Sequence, residues 1–306
     1  RTLLAARNME YAHTTWLLGL AKAMKTLKAD WSGTLVVYAQ PAEEVGLGAQ
    51  AMVKDGLLTR GFPKPDLALS SHAVPLAVGV AVNAPGVRMA GTDQLDIVFH
   101  GVGGHGSTPQ MTIDPVVMAA QAVLGYQTII SRNKRPIDAG VISVTMIHTG
   151  EATNVVPDSC EIQGTVRTFT LEVLDMIERR MKESTEHTRA AFETTCECEL
   201  SRNYPPTINH PAETEFARQV MAELVGPENV QEFEPTMGAE DFSYFLLEKP
   251  GCYFLIGNGD GSHRDGGHGL GPCMLHNPSY DFNDELIPLG ATMWVNLAEK
   301  WLNTAR

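Results

Sequence analysis

Apolar residues recur along this chain in a helical rhythm and in short runs typical of buried strands. In segment 13–27 the apolar side chains follow helical spacing, which predicts an amphipathic helix. Segments 33–39 and 66–71 are short apolar runs that predict buried strands, and segment 47–58 predicts a helix between them. Strands that alternate with helices predict a parallel sheet, so we expect an α/β fold here.

The middle of the chain has a different order of elements. The pattern predicts strand 94–99, helix 114–127, strands 140–147 and 160–168, helix 171–191 and strand 195–201. This β-α-β-β-α-β order is that of a ferredoxin-like domain, an antiparallel sheet with its helices on one face. The α/β pattern then resumes with segments 212–224, 253–256 and 285–301. We therefore predict a discontinuous α/β domain of residues 1–90 and 206–306, with a ferredoxin-like α+β domain of residues 91–205 inserted into it.

The N-terminal end departs from this plan. The chain starts about a dozen residues before its first predicted helix, and we identify no strand there that could begin the parallel sheet. The N-terminal end is therefore expected to be incomplete. Its apolar run, L-L-A-A, is too short for an export signal, so we expect a cytoplasmic protein.

Composition limits the partners that this chain can have. Among its 306 residues, 36 Asp and Glu against 23 Lys and Arg give a net charge of −13, which opposes binding to a phosphate backbone. Nucleic acid is therefore not an expected partner. No apolar run approaches the roughly 20 residues that cross a membrane. The 5 cysteines form no C-x-x-C pair, which favours reduced thiols over a disulfide framework.

Two adjacent carboxylates follow the first predicted buried strand. Glu43 and Glu44 stand in P-A-E-E-V-G, at the sheet edge where open α/β folds place their ligand sites. His72 ends the next predicted strand and reaches the same edge if the two strands are neighbours. If one carboxylate binds a divalent metal, the other can take a proton from water. The alternatives are a solvated acidic loop and a structural histidine.

A further histidine, His276, precedes the last predicted helix. Taken alone it is a loop histidine, but its loop could return to the same sheet edge. Glu44, His72 and His276 would then form a set of two imidazoles and one carboxylate, which suits zinc or manganese and leaves a coordination position for water.

Residues 101–106 match G-x-G-x-x-G, the fingerprint of dinucleotide-binding sites. Pro109 and Pro115 interrupt the approach to the next helix, and no acidic residue ends a second strand about 20 residues further on. We interpret these glycines as tight turns around His105, which we expect to be an exposed imidazole on a mobile loop. The alternative function of a dinucleotide-dependent oxidoreductase rests only on this glycine match.

A series of motifs, taken together, resembles a known family. In order they are H-T-T-W-L-L-G, P-A-E-E-V-G-L-G-A, G-V-G-G-H-G-S-T-P, T-N-V-V-P-D, G-T-V-R-T-F, M-G-A-E-D-F-S-Y-F and H-N-P-S-Y-D-F-N-D. From His13 to its end the chain resembles the dinuclear metallopeptidases that include aminoacylases and carboxypeptidase G. The similarity is greatest to the amidohydrolase branch, with hippurate hydrolase and the plant indole-acetyl-amino-acid hydrolases.

The resemblance implies a catalytic α/β domain interrupted by a smaller satellite domain that serves as a lid and in dimerisation. By position, Glu43 resembles the general base of that family. Glu44, His72 and His276 resemble its metal ligands.

The resemblance also implies roles for residues of the satellite domain. His105 resembles a histidine that steadies the tetrahedral intermediate, often across a dimer. Asn154 and Arg167 resemble substrate contacts, and a forked guanidinium suits a terminal carboxylate.

The front of the chain departs from the family pattern. The branch carries H-A-C-G-H-D-G-H-T, whose cysteine and middle histidine bind metal, whereas this chain has A-R-N-M-E-Y-A-H-T. Asn8 and Glu10 therefore stand at two expected ligand positions. Asn8 is a poor replacement for a thiolate, but Glu10 could still bind a metal.

The leading hypothesis is a metal-dependent amidohydrolase. It would cleave the amide of N-acyl amino acids, such as hippurate-like or related aromatic acyl conjugates, by metal-activated water. Its cofactor would be manganese or zinc, with two ions as in the family or one if the substitutions at the front matter. We expect a homodimer through the satellite domain. The alternative is a catalytically impaired or truncated relative that only binds or dimerises, which Asn8 and Glu10 favour.

Overall fold

The structure is a computed structural model that describes residues 2–8, 11–43, 48–264 and 271–303; the side chains of residues 4–8 and 11–12 lie outside the description. The described helices and strands are, in chain order, β1 (Thr2–Asn8), α1 (Tyr11–Thr26), β2 (Thr34–Gln40), α2 (Gly48–Lys54), β3 (Leu67–Val74), β4 (Ala81–Val82), β5 (Gly86–Met89), β6 (Gly91–His100), β7 (Gly104–His105), α3 (Pro115–Thr128), β8 (Gly140–His148), β9 (Val155–Val156), β10 (Ser159–Thr168), α4 (Leu171–Ala191), β11 (Cys196–Tyr204), β12 (Thr207–Asn209), α5 (Pro211–Val225), β13 (Val230–Gln231), α6 (Ser243–Glu248), β14 (Gly251–Gly257) and α7 (Leu286–Asn303).

The chain forms two compact units. Unit 1 consists of Arg1–Arg88, Thr207–Thr236 and Glu240–Arg306, and unit 2 consists of Met89–Pro206 and Met237–Ala239. No helix in the described part of either unit combines the length and apolar character of a membrane span.

Unit 1 is built on a mixed sheet in the order β13-β4-β14-β3-β1-β2. From β14 to β2 each strand runs parallel to its neighbour, whereas β4 runs antiparallel to β14. Strands buried on both faces need no alternation of polar and apolar residues, which explains the continuous apolar run of β14. Unit 1 therefore confirms the predicted α/β class.

The expectation that no strand precedes the first helix is wrong. Strand β1 pairs in parallel with both β2 and β3 and so lies between them. Its run L-L-A-A is short, and a central strand shows no alternating pattern, so periodicity gives little signal there. The assumption that β2 and β3 are direct neighbours is wrong for the same reason.

The core of unit 1 is centred on the contact between α1 and α7. Trp16 of α1 is fully buried, and its indole Nε1 donates a hydrogen bond to the carbonyl oxygen of Leu286 at 2.9 Å. The indole lies so close to Gly290 of α7 that a Cβ at that position would sit 2.2 Å from Cε2 of Trp16. A glycine at position 290 therefore allows the two helices to close around a large aromatic side chain.

Unit 2 is a four-stranded antiparallel sheet in the order β11-β6-β10-β8. Helices α3 and α4 contribute to a single apolar core with these strands. Asp114 caps α3 by accepting a hydrogen bond from the Val116 amide, and Thr170 caps α4 in the same way through the Val173 amide. The strand order and connections confirm the predicted ferredoxin-like plan.

The glycine-rich segment after β6 lacks the surroundings of a dinucleotide site. It leads into β7, which pairs with β9, and the amide of Gly101 donates a hydrogen bond to the carbonyl of Asp158 at 2.7 Å. A dinucleotide fingerprint instead joins a parallel strand directly to a helix. The glycines serve turns and close pairing in unit 2.

Candidate active site

The carboxyl ends of β2, β1, β3 and β14 lie at the same edge of the unit 1 sheet, because these strands are parallel. Gln40 ends β2, and Glu43 follows in the loop that leads to α2. His72 lies in β3, which continues to Val74 rather than ending at this histidine. Glu43 and His72 thus belong to the same sheet edge, with β1 between their strands.

Glu43 belongs to a cluster of carboxylates. Glu43, Glu240 and Asp241 each offer an oxygen, and these oxygens lie within 4.8 Å of one another. Glu43 is half-buried, whereas Glu240 and Asp241 are almost fully buried. Within residues 2–8, 11–43, 48–264 and 271–303, this is the only group of three or more His, Cys, Asp or Glu that could hold a metal ion.

Hydrogen bonds fix both oxygens of Asp241. The side-chain amide of Gln40 donates to Oδ1, and the backbone amide of Ala49 donates to Oδ2 at 2.8 Å. Burial raises the pKa of Asp241 to about 6, although the hydrogen bond from the amide of Ala49 opposes this shift. Asp241 therefore ties the end of β2 to the start of α2.

Glu240 and Tyr38 complete this acidic environment. The backbone amide of Phe242 donates a hydrogen bond to Oε1 of Glu240 at 3.1 Å. Tyr38 lies two residues before Gln40 on β2 and is buried. Burial raises its pKa well above the usual value, and the negative charges of Asp241 and Glu240 add to the effect. The phenol stays neutral in this environment.

His72 is oriented by hydrogen bonding and by a second histidine. Its Nδ1 lies 2.6 Å from the carbonyl oxygen of Ala73, which can only accept, so Nδ1 carries the proton and Nε2 keeps its lone pair. His13 packs edge-on against His72, with ring centroids 4.4 Å apart, and its Nε2 accepts a hydrogen bond from the amide of Ala73. His72 therefore has the tautomer that a metal ligand needs at Nε2.

His276 lies in an exposed turn between β14 and α7. Its backbone φ is +61°, in the left-handed region that residues other than glycine seldom adopt. Arg264 secures the surrounding loop, because its guanidinium donates hydrogen bonds to the carbonyls of Gly271 and Ser279. The acidic cluster of Glu43 does not include His276 or His72, so their joint role as ligands stays a prediction.

In unit 2 the structure brings His105 and Asn154 together. β7 and β9 pair so that His105 lies opposite Val155, and the amide of Gly106 donates to the carbonyl of Asn154 at 2.8 Å. His105 is exposed, as predicted, and its Nδ1 lies 2.7 Å from the hydroxyl of Ser107. Both residues therefore present polar groups on the surface of unit 2.

Arg167 lies on β10, in register with Thr92 of β6. The side chain is half-buried, and one guanidinium nitrogen donates a hydrogen bond to the carbonyl of Met237 at 3.2 Å. This bond uses one of the several N–H groups of the guanidinium, so others can serve a carboxylate.

Two predicted ligands, Glu10 and Glu44, lie outside the described residues. For Asn8 the backbone places the residue at the end of β1, in register with Gln40. The residue that replaces the expected cysteine therefore stands at the same sheet edge as Glu43.

The sequence analysis gave no role to Glu240 and Asp241. They were quoted within M-G-A-E-D-F, and they are adjacent carboxylates like Glu43 and Glu44. The argument that singled out the first pair, that neighbouring acids are costly unless they are used, applies equally to the second. Nothing in local pattern, however, places residue 241 against residue 40, which are 201 positions apart.

The donor atoms at this edge fit a divalent cation. Carboxylate oxygens suit manganese and zinc alike, and a cluster of buried and half-buried carboxylates gains from a nearby positive charge. The same arrangement offers a general base, because the half-buried Glu43 can exchange protons with a water molecule.

Comparisons with known proteins identify the family of this chain. The model of peptidase family M20/M25/M40 matches residues 10–300. The IAA-amino acid hydrolase ILR1-like 4 of Arabidopsis thaliana is 33% identical over 297 residues, covering 95% of this chain and 65% of that protein. Hippurate hydrolase of Campylobacter jejuni is 32% identical over 294 residues, covering 95% of this chain and 72% of that protein.

A solved structure supports the fold. The Bacillus subtilis YXEP protein, a dinuclear metal binding peptidase from the M20 family, superposes with a TM-score of 0.77 at 23% identity, covering 99% of this chain and 82% of that chain. This chain spans 65% of the length of the Arabidopsis relative. The match of the family model over residues 10–300 shows that the chain belongs to peptidase family M20/M25/M40.

Proposed function

We propose that this chain carries the active site of a metal-dependent amidohydrolase that cleaves N-acyl amino acids, including hippurate-like and other aromatic acyl conjugates. The observation that carries the proposal is the position of Glu43. Its carboxylate lies beside Glu240 and Asp241 at the sheet edge to which β3 brings His72. The names of the Arabidopsis and Campylobacter relatives support this substrate class.

A divalent metal, manganese or zinc, is the proposed cofactor. His72, Glu44 and His276 would hold it, with Glu10 as a further candidate. When bound, such a cation polarises a carbonyl group and lowers the pKa of a water molecule.

Glu43 is the proposed general base and acid. Its carboxylate would accept a proton from the attacking water and deliver that proton to the nitrogen of the leaving amino acid. The half-buried position lets Glu43 reach water, while its neighbours Glu240 and Asp241 are buried.

Residues of unit 2 are proposed to bind the substrate. His105 would donate a hydrogen bond to the developing oxyanion. Arg167 would pair with the free carboxylate of the amino acid, and Asn154 would contact the substrate as well. A substrate whose carboxylate is blocked as an amide should then react more slowly than the free acid.

The function can be tested by assaying the purified chain with N-benzoylglycine, an indole-acetyl-amino acid and an N-acetyl amino acid in the presence of Mn²⁺ or Zn²⁺. We expect release of the free amino acid. EDTA should lower the rate by about 100-fold or more, because the cation supplies several kcal/mol of transition-state stabilisation, and added metal should restore it. N-benzoylglycinamide serves as the matched substrate without a carboxylate.

The opposite result would be a chain that hydrolyses none of these amides with either metal present. That outcome would favour the alternative, an impaired relative that only binds or dimerises. The specific observation behind this alternative is that Asn8 and Glu10 stand where the family pattern has a cysteine and a histidine.

We also propose that unit 2 pairs with a second copy of the chain. β8 lies at the end of the unit 2 sheet, and Met146 and Ile147 on it are 44% and 51% exposed. An exposed edge strand with apolar side chains can pair with another strand. Light scattering should therefore give twice the chain mass of 33.2 kDa, whereas a monomeric mass at micromolar concentration would contradict the dimer.

A further inference from the structure

We propose that Gln40 and Asp241 form a clasp that closes the loop carrying Glu43, and that Asp241 is a positioning residue for that carboxylate. The clasp consists of the hydrogen bonds from Gln40 and Ala49 to the Asp241 carboxylate. This inference deepens the proposed function and rests on it for the role of Glu43.

Asp241 contacts both ends of the loop. Gln40 is the last residue of β2, and Ala49 is the second residue of α2, so Glu43 lies in the segment between them. One carboxylate oxygen binds each end. Because the Asp241 carboxylate is planar and rigid, it fixes the distance between the two ends of the segment.

A close backbone contact joins the two ends of this loop. A Cβ placed on Gly48 would lie 1.6 Å from the carbonyl oxygen of Pro41, far inside any real contact. Only glycine permits the start of α2 to approach the first loop residue so closely. The clasp therefore acts on a segment whose ends are already in contact.

Backbone strain lies directly before Glu43. Ala42 has a φ of +54°, in the left-handed region, which a residue with a Cβ adopts only with strain. Strain of this kind persists only when the surrounding structure enforces it. The tie from Gln40 to Ala49 through Asp241 supplies that enforcement on both sides of Ala42 and Glu43.

The clasp has a defined direction. Gln40 and Asp241 are both fully buried, and the Gln40 amide nitrogen donates while the Asp241 oxygen accepts. Gln40 Oε1 accepts no hydrogen bond from the described residues, so the donated bond holds this side chain in place. A carboxylate in place of the Gln40 amide would face Asp241 without a donor, and such a buried polar contact is costly.

The structure suggests a double-substitution experiment. Gln40→Glu removes the donor, whereas adding Asp241→Asn gives a clasp in which the new asparagine donates to the carboxylate at position 40 and still accepts from Ala49. For Gln40→Glu we expect kcat to fall about 100-fold with KM changed less than about twofold, because a small misplacement of a reacting group has this effect. The double variant should return to within about fivefold of the original kcat.

Gln163→Glu is the matched control. Gln163 donates a hydrogen bond to Asp96 in unit 2 at 2.9 Å, so the same substitution faces an aspartate outside unit 1 and outside the clasp. Its kcat should match that of the unmodified chain. Asp241→Asn alone should have a small effect, because Gln40 can turn its amide over to accept from the asparagine.

A second readout separates the clasp from the proposed function. Hydrogen exchange of the amides in residues 42–49 should be about tenfold faster in Gln40→Glu and return toward the original rate in the double variant, whatever the activity. If the unmodified chain hydrolyses nothing, the exchange data still test the clasp. If Gln40→Glu does not fold, recovery of folding in the double variant is the expected result.

Several outcomes would overturn the clasp. One is a Gln40→Glu chain with unchanged kcat and unchanged exchange in residues 42–49. Another is a double variant no better than Gln40→Glu, or one that stays unfolded. A third is a fall in kcat that tracks a general loss of thermal stability, with exchange accelerated evenly through unit 1, since that pattern indicates a purely structural role.

Discussion

A Glu43→Gln chain should lose amide hydrolysis by about 10²- to 10⁴-fold, because glutamine has the size of glutamate but cannot take up a proton. KM should change little, since the substitution removes an interaction needed for proton transfer rather than for binding. The measurements are kcat and KM for N-benzoylglycine, with metal content per chain by elemental analysis. The metal content should stay near that of the unmodified chain if Glu43 is a base and not a ligand.

Glu197→Gln provides the control for this change. Glu197 is an exposed residue of β11 that pairs with His100, so the same loss of charge occurs away from the acidic cluster. This control should keep the original rate. Full metal-dependent activity in Glu43→Gln would remove Glu43 from the mechanism, and a loss of bound metal would instead make it a ligand.

Trp16→Ala should lower the free energy of unfolding of unit 1 by about 3–5 kcal/mol, as expected for the removal of a large buried aromatic side chain. The side chain of Trp16 is fully buried, with an exposed fraction of 0%. It packs against Gly290 and donates a hydrogen bond to the carbonyl oxygen of Leu286. The substitution would also remove the hydrogen bond from the indole to the carbonyl oxygen of Leu286, the first residue of α7. Denaturant unfolding followed by far-UV circular dichroism gives the change in midpoint.

Leu18→Ala is the matched control on the same helix. Leu18 is 66% exposed, so its truncation should change the free energy of unfolding by at most about 0.5 kcal/mol. A Trp16→Ala chain with a loss below about 1 kcal/mol would show that the contact between α1 and α7 is not the centre of the unit 1 core.

The sequence predicts unit 2 well because its signals are local. Helix α4 begins and ends at the predicted residues, since Thr170 caps it and its apolar face repeats at helical spacing. The sheet order then follows from the connection pattern of a single domain. In unit 1, by contrast, β1 is a central strand with a short apolar run and no flanking turn signal, and the pattern does not reveal it.

The candidate site divides in the same way. The sequence places Glu43 and His72 at one sheet edge, because each lies near or just beyond the carboxyl end of a parallel strand. Glu240 and Asp241 could not be placed, because a contact between residues 40 and 241 depends on the packing of distant segments. Burial then gives Asp241 its raised pKa, which no local pattern of charge would predict.

The insertion of unit 2 into unit 1 has a consequence for the order of folding. β14 must pair with β3, yet all of residues 89–206 are synthesised between them. Until β14 emerges, β3 keeps an unpaired edge, which is a site for aggregation.

Early folding of unit 2 shortens the time during which the edge of β3 is unpaired. In chain order, β6 is the first strand of the unit 2 sheet and β11 is the last. These two strands pair with each other, and Thr92 lies opposite Tyr204. Once unit 2 has folded, its two ends are neighbours. The remaining chain then closes the unit 1 sheet across a short connection, and the entropy of a long loop no longer slows that step.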